Sequence, residues 1–397
     1  MSHDTLLRGE TPSASARIVS IDVFRGFSIV GMLLTGAPGG PGAVHPQFRH
    51  AVWEAGTFAD FVAPTFMWIV GMSLYFYLKK RRQHNGSTNV LIGALARRCA
   101  VLFVLGVALV NIPLIFFQSS DVTYPIVVLG TLQRIAVGLL IAGTICILVP
   151  RPIAWISASV LIITLYLSVI ILFPAPGFGP GDFSPDGNAA HFVDRLVLEN
   201  HISNSHPLLS LLGAAISVLF GAATARLLDT PRDPAYVFSV FLALGVFLML
   251  CGGTLSHWIP SVMYIWTPSY AVFMAGVSTA AYGVLYWIVE IWKIQRVFYP
   301  LVVLGLNPIA VLTAQWFVET TLGSKGLTQP DGQWQSLGSL LYQWFAQPFP
   351  NLFVATFVFN LVMIALWCSI FHLFPAHTWK ARILSLQLPI MRRNNRF

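Results

Sequence analysis

The stretch "HAVWEAGTFAD" (50–60) places His50, Glu54 and Asp60 directly ahead of a long apolar run. An imidazole is the side chain best suited to move protons near neutral pH, and it can also attack an activated carbonyl itself. A carboxylate ten positions on can orient that ring or hold a cation. A charged group at the mouth of an apolar run is costly and is kept where it faces a cavity or a partner. If helix extends back to residue 50, then His50, Trp53, Thr57, Asp60 and Pro64 share one face. Pro64 has no N–H to donate, so the Asp60 carbonyl loses its helical partner.

Other residues with chemical potential are scattered. Gln133 and Arg134 interrupt a later apolar run, and a buried Arg134 needs a counter-charge, for which Asp60 is one candidate. Asp22 and Arg25 open the first run, as a local ion pair or with Arg25 as a ligand for an anion. A polar loop supplies Asn188, Asp194, Arg195 and His201, suited to sugar hydroxyls. His206 is a further loop imidazole. Trp266, Ser269 and Tyr270 read as interfacial anchors, and Asn307–Pro308 breaks a span. The four cysteines lie apart with no CxxC pair, so neither a zinc site nor a disulfide framework is indicated. No metal motif, phosphate loop or G-x-S-x-G elbow is present, and the glycine-rich 39–50 segment reads as a lid.

The elements that must position these groups are membrane helices. The 397 residues are 56% hydrophobic and only 10% charged, with mean hydropathy +0.72; soluble domains carry about 25% charged residues. The expected class is an all-α polytopic integral membrane protein of ten transmembrane helices. These are expected at 20–38, 57–78, 97–118, 126–149, 153–174, 207–228, 236–258, 268–291, 298–320 and 350–374. With both termini cytoplasmic, 19 of the 23 basic residues fall on the inner side, the asymmetry of multi-pass proteins. The same asymmetry assigns the net charge of +8 to the membrane surface and not to nucleic acid. The chain divides into a cytoplasmic N-terminal tail (1–19), a transmembrane domain (20–376) and a basic cytoplasmic C-terminal tail (377–397). Long segments at 38–56, 175–206 and 321–349 gather on the outer side, where a site is expected.

Six blocks in order, "RIVSIDVFRGFSIVGMLLTG" (17–36), "HAVWEAGTFADFVAPTFMWIVG" (50–71), "LGTLQRIAVGLLIAG" (129–143), "DGNAAHFVDRLVLENHI" (186–202), "WTPSYAVFMAG" (266–276) and "LGLNPIAV" (304–311), resemble the transmembrane acyltransferases typified by heparan-α-glucosaminide N-acetyltransferase. The resemblance implies acetyl transfer from cytoplasmic acetyl-CoA, as co-substrate, to the amine of a glucosamine across the membrane. It assigns the catalytic histidine to His50. Asp60 is then its orienting partner, Arg25 and Arg134 candidate CoA ligands, and Asn188, Asp194, Arg195 and His201 candidate acceptor ligands. No metal is implied, and a homodimer is. Two departures fall on the acceptor side. Gly36 stands where many relatives carry Asn, and "SNSHP" (203–207) stands where many read D-P-E-G. An acyltransferase for another envelope polysaccharide and a solute transporter are the alternatives, in a plasma or bacterial inner membrane.

Overall fold

A computed structural model describes residues 18–38, 40–83, 86–117, 126–198, 207–229, 232–328 and 334–374. The chain is an all-α polytopic membrane protein. Its helices are α1 (Val19–Leu34), α2 (Phe58–Gln83), α3 (Thr88–Phe117), α4 (Thr131–Leu148), α5 (Pro152–Leu172), α6 (Ala189–Leu198), α7 (Leu208–Asp229), α8 (Pro234–Leu255), α9 (Pro268–Tyr286), α10 (Tyr299–Leu306), α11 (Pro308–Ser324), α12 (Leu337–Ala346) and α13 (Leu352–Leu373). A short antiparallel hairpin, β1 (Gly326–Thr328) and β2 (Trp334–Ser336), precedes α12.

Among the described residues, eight helices are long and apolar enough to span a bilayer: α2, α3, α4, α5, α7, α8, α9 and α13. The expected ninth span is instead a broken one, in which α10 and α11 meet at 72° across Asn307. Pro308 has no N–H to continue the α10 ladder, and Asn307 leaves helical geometry at φ −123°, ψ 36°. The expected first span is α1, of 16 residues, about 24 Å long and short of a hydrocarbon core of about 30 Å. Proline occupies the first turn of α5, α8, α9 and α11, where its missing donor costs nothing.

Successive spans alternate direction. Contacts between ends confirm two faces. Ala55 N–H donates to Ser261 O at 2.7 Å on one face. Lys79 pairs with Asp229 on the other. The face that receives the end of α1 and the starts of α2, α4, α7, α9 and α13 also holds residue 50, and is termed the His50 face. The centre of the bundle is α7, the most buried span, flanked by α2, α4, α5 and α9; α13 is the least buried. Close approach is set by glycine, as is usual where apolar helices pack without water to expel. A Cβ at Gly71 of α2 would overlap the Val218 carbonyl of α7, and one at Gly221 of α7 would overlap that of Trp68.

Candidate active site

Helix α2 begins at Phe58, not at residue 50, so the shared helical face expected over 50–64 does not exist. The start is set by a capping arrangement over Thr57–Asp60. The Asp60 side chain reaches back so that Oδ2 accepts from Thr57 N (3.1 Å), Gly56 N (3.0 Å) and Thr57 Oγ1 (3.1 Å). This is the reach-back half of a capping box, three residues into the helix. Residues 50–57 are therefore loop, and His50 arrives at Asp60 by a turn back over the helix start: His50 Nδ1 lies 3.0 Å from Asp60 Oδ1.

Three ties hold that loop. Glu54 bridges Val262 in a single antiparallel pair. Trp53 donates its indole N–H to Phe183 O at 2.8 Å and stacks on Tyr264, with centroids 6.0 Å apart. Tyr264 donates its hydroxyl to Ala51 O at 3.1 Å. Burial, then the nearby Asp60 charge, pushes the Tyr264 phenol above its ordinary range, which keeps it a donor. The Asp60 carbonyl freed by Pro64 is taken by the hydroxyl of Tyr270. The imidazole's loop is thus tied to the Phe183 and Val262–Tyr264 segments, with its carboxylate partner wholly buried and its own side chain 46% exposed.

An ionised carboxylate only accepts, so Nδ1 carries the shared hydrogen and the lone pair sits on Nε2. Nε2 has no protein hydrogen-bond partner among the described residues. His50 lines a cavity of about 620 Å³ in the His50 half of the bundle, within the usual range for small-molecule sites. Its wall comes from the end of α1, the starts of α2 and α4, and α11, α12 and α13.

Three polar residues of that wall were not singled out in the sequence: Gln315, Glu319 and Asn360. Trp367 Nε1 donates to Gln315 Oε1 (2.5 Å), and Gln315 Nε2 donates to Glu319 Oε1 (2.7 Å). Asn360 Nδ2 donates to Leu34 O and Gly36 O, both at 3.0 Å. The signal available was a lone carboxylate and a lone amide inside apolar runs.

The other expected site residues do not line this cavity. Arg25 ties α1 to its neighbours, reaching Asp22 Oδ1 (3.0 Å), Gly305 O (2.9 Å) and Ser73 Oγ (2.6 Å). Arg134 is buried on α4 with its guanidinium over the Trp266 ring, 4.8 Å from the centroid, while the bonds described for the Asp60 carboxylate come from Gly56, Thr57 and His50. Asn188 is buried and engaged in shaping the start of α6: its Oδ1 accepts from His191 N (2.9 Å) and its Nδ2 donates to Ser184 O (2.7 Å). Asp194 is buried and holds α6 to α7 by accepting from Leu208 N at 2.9 Å; burial pushes its carboxyl up to about 6. Arg195 is exposed. His201 and His206, like both tails, lie outside the described residues. Trp266, Ser269 and Tyr270 are buried in the bundle, not at a lipid interface. Trp266 takes φ 52° and donates to Ser217 Oγ at 3.2 Å.

Fold and site together define a multi-pass membrane protein with a carboxylate-anchored imidazole at the lip of an internal chamber. Residues 17–187, which include both members of that pair, match the family described as heparan-α-glucosaminide N-acetyltransferase, catalytic. The chain is also similar to heparan-α-glucosaminide N-acetyltransferase of Homo sapiens, 25% identical over 355 residues, covering 74% of this chain and 52% of the human protein. It is 24% identical over 372 residues to the Mus musculus protein of the same name, covering 78% and 55%. The resemblance carried by the motifs is borne out, and the chain spans about half the length of the curated relatives it matches. The matched family segment ends before α11, α12 and α13, which build the far wall of the chamber.

Proposed function

We propose that this protein is a membrane acyltransferase that moves acetyl from acetyl-CoA to the amine of an amino sugar, glucosamine or a related glycan, at the His50 face. The observation that carries the reading is the 3.0 Å His50–Asp60 contact at the lip of the chamber. In direct transfer the acceptor nitrogen attacks the thioester carbonyl, the new N–C bond forms and the C–S bond breaks. His50 Nε2 takes the proton from nitrogen and returns it to the departing thiolate. In the carrier variant Nε2 itself takes the acetyl group, releasing CoA, and the amine then attacks the acyl-imidazole. Asp60 serves both routes. It holds Nδ1–H, fixes which nitrogen reacts and stabilises the positive ring.

The donor enters from the basic face, which is the cytoplasmic side in this reading, as are both termini. Arg25 lies on that route at the seam of α1, α2 and α10, and meets CoA oxygens by exchanging its ties to Asp22, Gly305 O and Ser73. Arg195, exposed on α6, is available to a longer glycan, whereas Asn188 and Asp194 act by shaping the α6 loop. The partners are acetyl-CoA, the acceptor and the bilayer of a plasma or bacterial inner membrane, with a homodimer carried over from the family and no role for nucleic acid. The Gly36 departure lies in the chamber wall and favours, as a second reading, an acceptor other than glucosamine at the same catalytic pair.

The test is transfer of labelled acetyl from acetyl-CoA to glucosamine by purified protein. The wild type yields labelled product and His50→Ala yields none. An active His50→Ala enzyme overturns the assignment, and solute uptake by proteoliposomes without CoA consumption replaces it with a transporter.

A further inference from the structure

The chamber that His50 lines also has a polar corner, and its chemistry is one-sided. Glu319 is an exposed carboxylate on α11 lining the chamber. Among the described residues its hydrogen bond is with Gln315 alone, and no lysine, arginine or histidine pairs with it. Asn360 spends both its N–H contacts on the carbonyls of Leu34 and Gly36, which leaves Oδ1 as an acceptor. Both groups converge on Gly36. A Cβ placed there would lie 3.3 Å from Glu319 Oε1 and 3.6 Å from Asn360 Oδ1. The corner is therefore built from acceptors, carries a negative charge, and is kept open by the lack of a side chain at residue 36.

A carboxylate inside a membrane span is expensive and is kept when something pairs with it. The ligand that answers a set of acceptors and a negative charge is a group with several N–H donors and a positive charge. An alcohol offers one donor and no charge; an ammonium offers three donors and a full charge.

We propose that Glu319, with Asn360 and the space at Gly36, is the site that recognises the cationic amine of the acceptor. Glu319 thereby selects amino sugars over neutral sugars. This deepens the acetyl-transfer reading and rests on it for the identity of the ligand. Glu319 holds the acceptor as its ammonium; one proton is lost to solvent water to free the nitrogen lone pair, and the second leaves nitrogen for His50 Nε2 as the N–C bond forms and the C–S bond breaks. Gln315, fixed by Trp367, aims the carboxylate.

The experiment measures binding of glucosamine and of glucose by calorimetry on detergent-solubilised full-length protein, alongside acetyl transfer. The wild type binds glucosamine about tenfold or more tighter than glucose, the scale of a partly desolvated charge pair. Glu319→Gln brings the two within about threefold and raises KM for glucosamine while KM for acetyl-CoA holds. Gly36→Ala, which fills the corner without removing charge, weakens glucosamine binding and covers the case in which Glu319→Gln fails to fold. A Glu319→Gln protein that keeps the wild-type preference for the amine, or a wild type with no preference, overturns the proposal. A wild type that discriminates through Glu319 yet transfers no acetyl overturns the acetyl-transfer reading and leaves the amine site standing.

Discussion

Asp60→Asn is the sharpest probe of the proposed catalytic pair. The Asp60 carboxylate receives three donors on Oδ2, from Gly56 N, Thr57 N and Thr57 Oγ1, and His50 on Oδ1. An asparagine keeps those three only by placing its oxygen at Oδ2, which turns its NH2 toward His50. The imidazole must then accept at Nδ1 and carry its hydrogen on Nε2, so the reactive lone pair is lost. The negative charge goes too. At about 4 Å between charge centres and an effective dielectric constant of about 20, the attraction for a positive ring is about 4 kcal/mol. The His50 side chain is 46% exposed, and solvent screening brings this to about 2 kcal/mol, a factor of about 30. The tautomer switch adds to it, so kcat is expected to fall by about two to three orders of magnitude with KM for acetyl-CoA unchanged. The assay is single-turnover acetyl transfer, with thermal unfolding showing that both proteins are folded. A folded Asp60→Asn enzyme within about threefold of wild-type kcat refutes the argument that Asp60 sets the tautomer and charge of His50.

Two further substitutions test the scaffold. Tyr270→Phe removes the donor to the Asp60 carbonyl that Pro64 leaves unpaired. A loss of about 1–2 kcal/mol is expected, read as a lower Tm in detergent, with an unchanged Tm counting against that role. Asp194→Asn tests a pH dependence: the folded carboxyl sits at about 6 against an ordinary 3.8, so between those values the folded state holds a proton the unfolded chain has released. Wild-type stability therefore falls as pH rises from about 4 to about 6, by at most about 3 kcal/mol, and levels off above. Asp194→Asn keeps an acceptor for Leu208 N and lacks this loss, so its Tm exceeds that of wild type at pH 7 and converges with it near pH 4. Parallel Tm curves across that range would show that Asp194 is not held protonated by burial.

The spans and the His50–Asp60 contact were readable in the sequence for different reasons. The spans follow from apolar runs and the distribution of Lys and Arg, which are local properties. His50 and Asp60 are ten residues apart and joined by a motif, so their partnership was legible even though the assumed helical route was not. The missed clue was Thr57-x-x-Asp60, a helix-start pattern that rules out helix before Phe58. The far wall was illegible for a physical reason. Glu319 and Asn360 come near Gly36 only because α11 bends away at Asn307 and α13 packs against α1, and no local pattern encodes that juxtaposition. Trp266, Ser269 and Tyr270 look like interfacial residues by type; burial of their polar atoms is tolerated because Ser217, Pro260 O and Asp60 O supply partners. Arg134 likewise found an aromatic face where a carboxylate was expected.

The junction of α1 with α10 has a mechanical consequence. A Cβ at Gly26 would strike the Leu301 carbonyl and one at Gly305 would strike that of Asp22, and Arg25 rivets the same seam. The two helices are therefore packed as a single plank. The 72° elbow at Asn307 is where that plank ends, so Glu319 stands on a helix set in a different direction from it. The Glu319 wall and the His50 loop are therefore held by separate fastenings, the first by the bend at Asn307 and the second by bonds to Phe183, Val262 and Tyr264.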